Sequence, residues 1–204
     1  MSSSRDIILA RVRDALASLP QRAALPDWDR DLIVLREAHA GVDRWSLFSE
    51  RMKAVNGRPI SHVSELVSYL TETNTLRGYC DPALWPTLRA EFPNTFNVET
   101  EFDRTRVDDY QFGITAALGG IAETGTIILS DNGTSRRLGA LAPWVHIAVL
   151  RRPDIFLDLP AAVSSMPNDP NIVWCTGPSK TADVEGILIE GVHGPGIQIA
   201  LLAE

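Results

Sequence analysis

Glu123 lies in the turn Ala-Glu-Thr-Gly-Thr, residues 122–126, between the apolar runs FGITAALGGI and TIILS. A carboxylate buried there would have a raised pKa, which suits acid–base or nucleophilic work. It reads equally as a glutamate at a tight bend, accepting bonds from the Thr124 and Thr126 hydroxyls or from nearby backbone N–H groups. A second candidate, TGPSKTADVE at 176–185, directly follows the apolar run NIVWC. Gly177 permits an unusual backbone angle, and Ser179, Lys180 and Thr181 supply hydroxyl and ammonium donors. If this turn leads from a strand into a helix, its N–H groups and the helix dipole face an anion. It is not a phosphate-binding Walker loop, because the second glycine and the Lys-Ser/Thr pair are not at that spacing. Read more plainly, it is the start of a helix capped by Ser179 or Thr181, with Asp183 and Glu185 complementing the dipole.

His193 stands between glycines in GVHGP, residues 191–195. Bulk is not the reason for a ring there, so it calls for a specific polar partner, either a ligand or a backbone carbonyl. Arg136 and Arg137 follow the turn DNGTS and can clamp a carboxylate, although paired arginines after a turn are also commonly solvated. His146, inside the apolar run WVHIAVL, reads as a core histidine with satisfied ring nitrogens. No His or Cys pattern has metal-ligand spacing, so no metal site is expected.

Elements that alternate between strand and helix must hold these residues. Ile8, Leu9, Val12, Ala15, Leu16 and Leu19 repeat at helical spacing, and VDRWSLFSERMKAVNG reads as a second helix stopped by Asn56-Gly57. With a loop over Pro20–Asp31 between them, they make an N-terminal helical arm over residues 1–56. From residue 57 to 204, apolar runs of strand length alternate with short helical segments: TLRGYC, FNVET, WVHIAVL, NIVWC and GIQIALL among the strands. Continuous apolar strands separated by helices predict an α/β domain with a mostly parallel sheet covered on both faces.

The 204 residues carry a net charge of −7 and 45% apolar side chains, with a pI near 5.1. Such a surface has no general affinity for nucleic acid or anionic membrane. No apolar run reaches the roughly 20 residues of a membrane span. The first segment reads as an amphipathic helix and not as a signal peptide. Two isolated cysteines, Cys80 and Cys175, point to a reducing, cytoplasmic setting and are too few to hold an iron–sulfur cluster.

GIAETGT, then a strand containing His-Ile, then TGPSKTADVEGILIEGVHGP together resemble the LUD-domain family, over the chain from FSERMKAVNG to its end. The resemblance departs just before Glu123, where this chain has Ala117-Leu118-Gly119-Gly120. It implies a three-layer α/β/α Rossmann-like fold of the NagB/RpiA/CoA-transferase kind. It also implies a role in oxidising L-lactate to pyruvate, alongside partner proteins that carry iron–sulfur clusters. On that reading this chain needs no cofactor of its own. It contributes an organic-anion pocket or an assembly surface, with Gly177, Ser179, Lys180, Thr181, His193, Arg136 and Arg137 as anion-binding candidates. One alternative is a stand-alone enzyme that uses Glu123 as nucleophile or base, by fold analogy with CoA transferases, sugar-phosphate isomerases and a folate cyclo-ligase. Another is a purely structural assembly protein.

Overall fold

The computed structural model describes residues 3–18, 39, 41–131, 134, 137–167, 171–182 and 187–203, and comprises two compact units, Met1–Leu35 and Arg36–Glu204. In the first unit, helix α1 (Ser4–Leu16) follows the expected helical repeat and opens with a reciprocal capping box between Ser3 and Asp6. The loop expected over Pro20–Asp31 lies outside the described residues.

The second arm helix, α2 (Arg44–Ala54), belongs to the α/β unit, so the division falls after Leu35 and not after residue 56. Burial explains the difference. Trp45, Leu47, Phe48 and Met52 are core residues, and Phe48 and Met52 have no exposed surface at all. A helix carrying that much covered apolar surface is a layer of the domain. Asp43 caps it by accepting from Ser46 N–H at 2.9 Å, and left-handed Asn56 ends it as the sequence predicts.

The central sheet is wholly parallel. It contains β1 (Arg58–Ile60), β2 (Arg77–Cys80), β3 (Asn97–Glu99), β4 (Phe112–Ala116), β7 (Val145–Arg151) and β12 (Ile197–Ala203), in the order β1-β12-β7-β4-β2-β3. Successive side chains alternate faces. Ile114, Ile147, Ile199 and Leu201 face α3 (Val63–Glu72) and α4 (Trp85–Leu88), where Leu66, Leu70 and Leu88 complete one core. Ala148, Leu150 and Ala200 face α2 and a second, four-stranded sheet. That sheet runs β8-β5-β6-β9, from β5 (Gly119–Ile121), β6 (Thr126–Ser130), β8 (Ile155–Phe156) and β9 (Ile172–Cys175). Two short helices, α5 (Leu138–Leu141) and α6 (Leu159–Ser164), close the unit.

The described part of TGPSKTADVE, residues 176–182, runs into a strand and not into the expected helix. Lys180–Ala182 forms β10, which pairs antiparallel with β11 (Leu188–Glu190), and residues 183–186 lie outside the described set. The β-branched residues Thr181 and Ile189 pair across this ladder, a placement suited to a pleated surface.

His146 is fully buried and satisfied, as expected. Thr115 Oγ1 lies 2.8 Å from its Nε2, and its Nδ1 lies 3.0 Å from Gln198 Oε1. The amide oxygen can only accept, so Nδ1 is the protonated nitrogen and Thr115 donates to Nε2. Burial pulls the imidazole pKa down from 6.5 to about 4, against a smaller opposing contribution from the Gln198 bond. The unfolded chain therefore binds a proton near pH 6.5 that the folded protein refuses until about pH 4. Stability is complete above the higher value and is lost as pH falls through this window, by about 3 kcal/mol. Urea unfolding at pH 7.5, 5.5 and 4 should show that loss, and His146→Gln should flatten this part of the slope.

Candidate functional site

Two of the sequence motifs converge on the C-terminal end of α2. The AETGT turn is the tip of the β5–β6 hairpin, with Gly125 at φ +66°. A Cβ on Gly125 would lie 2.3 Å from Met52 N. Gly177, at φ +75°, approaches the same helix, and a Cβ there would lie 2.3 Å from Val55 O. Each glycine thus serves close backbone contact with α2. A line of hydroxyls joins the two turns: Thr124 Oγ1 is 2.7 Å from Thr126 Oγ1, which is 2.8 Å from Thr176 Oγ1.

The charged candidates are also engaged. Glu123 is half-buried at the hairpin tip, and its Oε1 accepts from Leu159 N–H, the first residue of α6, at 2.8 Å. Its carboxylate therefore satisfies a helix N-terminus together with Asp158, which accepts from Ala161 N–H. Lys180 Nζ donates to Val55 O at 2.9 Å, at the C-terminal end of α2, where a cation complements the dipole. Glu190 is 3.6 Å from that ammonium and accepts from Asn56 Nδ2 at 2.8 Å. Thr181 is half-buried in the β10–β11 ladder. Arg137 is left-handed and ion-paired with Asp131 at 2.9 Å, away from the other candidates, and Arg136 lies outside the described residues. Among the described residues, Lys180 and Arg137, candidates for anion binding, and Glu123, the catalytic candidate, already have partners within the fold.

His193 is different. Ser179 N–H donates to Pro195 O at 2.9 Å and Gly191 N–H to Ser179 O at 2.8 Å, so the 176–181 and 191–195 segments are one locked unit. On it the His193 ring is exposed and has no hydrogen-bond partner among the described residues. It borders a cavity of about 580 Å³ at the amino ends of β4 and β7, together with Asp108, Gln111, Trp144 and Val192. The indole of Trp144 lies over Gly191 and Gly196, where a Cβ would come within 2.4 Å and 2.3 Å of the ring. Trp144 is nevertheless 54% exposed and Val192 50%. Sequence reading passed over Trp144 as the first residue of a buried strand. The clue was the pair of glycines at 191 and 196, which leave room for one flat ring.

The two thiols lie in different sheets, Cys80 on β2 and Cys175 on β9, and burial pushes them up to about 12 and about 11. Burial thus favours the neutral thiol at both positions. No group of three or more His, Cys, Asp or Glu among the described residues is arranged to hold a metal ion. Likewise, no described helix is long and apolar enough to cross a membrane.

The LUD domain family profile matches residues 50–202. A lactate utilization protein C of Deinococcus radiodurans is 33% identical over 121 residues, covering 56% of this chain and 55% of that protein. Lactate utilization protein C 1 of Bacillus mycoides is 35% identical over 91 residues, covering 41% of this chain and 39% of its own length. The chain thus spans about half the length, or less, of these curated relatives. A crystal structure of a DUF162 family protein from Deinococcus radiodurans superposes with a TM-score of 0.58 at 23% identity, covering 78% of this chain and 96% of that one. That likeness shows the fold.

The glycine contacts make a testable ranking. Gly125→Ala and Gly177→Ala should each cost roughly 2–4 kcal/mol in chemical denaturation, combining a left-handed φ with backbone collision. Gly41→Ala should cost only about 1 kcal/mol, since its φ is +81° but nothing lies within 4 Å of the added methyl.

Proposed function

The chain belongs to the LUD domain family, and from that premise we propose that it is a non-redox component of a lactate-utilization system. In this reading it docks, through the Trp144–Val192–His193 surface, onto a partner protein that carries the iron–sulfur clusters and oxidises L-lactate to pyruvate. The observation that carries the reading is the rim where Trp144 packs over the GVHGP loop: an exposed indole, an exposed valine and an imidazole with no hydrogen-bond partner among the described residues stand side by side. Aromatic side chains held on a fixed frame are the usual anchors of protein interfaces, because little rotamer freedom is lost when they are covered. The relatives named for lactate utilization support the pathway. The two neutral, widely separated thiols support placing the clusters in a partner.

Catalysis by Glu123 draws less support. Its carboxylate is bonded to the α6 backbone, and a nucleophile or base there would have to give up that contact.

The test is affinity purification of the tagged full chain from its host grown on lactate, with iron analysis and lactate-dependent dye reduction of the eluate. Wild type should bring down iron and activity together. Val192→Glu, a change at an exposed side chain, should lose both while its circular dichroism stays native, and Glu123→Gln should keep both. Elution of wild type alone and iron-free, or full activity of Val192→Glu, would overturn the proposal.

A further inference from the structure

A second cavity, of about 530 Å³, opens at the opposite edge of the central sheet and holds none of the candidate site residues named above. Neighbouring strands β2 and β4 leave the sheet there in opposite directions. After β2 the chain passes into α4 on one face, where Leu84 and Leu88 join the first core. After β4 it crosses to the other face, where Ala117 and Leu118 join the cores around α2 and the second sheet. Divergence of adjacent strands at their carboxyl ends leaves a crevice, the general position of ligands in open α/β sheets.

Side-chain size deepens the crevice. Along β4 and β12 the core residues Ile114 and Leu201 are followed, two positions on and on the same face, by Ala116 and Ala203. Val149 closes the floor, and the wall is predominantly apolar. One cation stands at the rim. Arg151, at the end of β7 and register partner of Ala203, is ion-paired through Nε to Asp154 Oδ2 at 2.6 Å. Its side chain is 68% exposed, and its Nη groups have no partner among the described residues.

We propose that this crevice binds a medium-chain aliphatic carboxylate, with the chain against the alanine-lined wall and the carboxylate on the Nη donors of Arg151. A planar guanidinium with two free donors matches a carboxylate. Apolar walls of this extent reward a hydrocarbon chain more than a small hydroxy acid. Asp154 sets the affinity by competing for the same arginine. This assignment stands apart from the docking surface, which lies at the other edge of the sheet.

Octanoate is the probe, titrated calorimetrically into the purified full chain, with 1-octanol as the uncharged control. Octanoate should bind saturably and about tenfold more tightly than hexanoate. Arg151→Gln should weaken octanoate about tenfold without changing octanol, and Asp154→Asn should strengthen it several-fold. Ala117→Trp should abolish binding of both. Both rim substitutions are at or near the surface and should leave the fold intact, so they decide the matter even if Ala117→Trp does not fold. No saturable octanoate binding, equal binding of octanoate and octanol, or indifference to Arg151→Gln would overturn the assignment.

Discussion

The parallel pairing of β7 with β12, in unbroken register from Val145–Ile197 to Arg151–Ala203, is the contact on which both edges of the molecule depend. It inserts the last strand of the chain between β1 and β7, so every sheet neighbour of β12 is remote in sequence. A parallel strand in mid-sheet is buried on both faces, and His146 and Gln198 are register partners across this ladder. Their hydrogen bond supplies the partner that a buried imidazole requires. The same ladder carries the 191–195 loop to the amino edge of the sheet and Ala203 to the carboxyl edge. The aromatic rim and the apolar crevice are thus fixed by one set of backbone hydrogen bonds.

A second constraint is the close fit of α2. Its C-terminal turn is approached by Gly125 on one side and Gly177 on another, each in a left-handed conformation and each too near its backbone to admit a Cβ. The helix end is then satisfied by Lys180, and the start of α6 by Glu123. The residues that most resemble catalytic equipment in the sequence are therefore answering the unmet hydrogen bonds of helix termini. Orphan N–H and C=O groups at helix ends need partners whatever the protein does.

Some polar and apolar groups are not consumed by these contacts. Among the described residues, the His193 ring and the Nη donors of Arg151 have no hydrogen-bond partner, at opposite edges of the sheet, and Trp144 and Val192 are exposed beside His193. One edge presents exposed, rigid, largely aromatic surface, which suits a macromolecular partner. The other is a recess with one cation at its mouth, which suits a small amphiphile. Because the two lie at opposite ends of the strands, occupation of one leaves the other open.

Much of this was legible in the residues themselves. Continuous apolar runs such as WVHIAVL and GIQIALL announce strands buried on both faces, hence a parallel sheet, because burial of both sides suppresses the alternation that an exposed face would impose. Asn56-Gly57 marks the end of α2, since a left-handed residue stops a helix wherever it occurs. A histidine within WVHIAVL had to find partners, and it did. Other features were decided only in three dimensions. KTADVEG carries the cues of a capped helix start, yet Lys180–Ala182 pairs with Leu188–Glu190, because ladder bonds to a nearby segment outweigh a short helix's local preference. α2 reads as an arm until its apolar face is seen filled by Phe48 and Met52 against the sheets. The roles of Glu123 and Lys180 were likewise hidden, because a side chain's partner on a distant helix end depends on which backbone groups are left unsatisfied once the layers have closed. The sequence alone determined the class of fold and the residues able to do chemistry. Tertiary structure decided which of those residues remained free to do it.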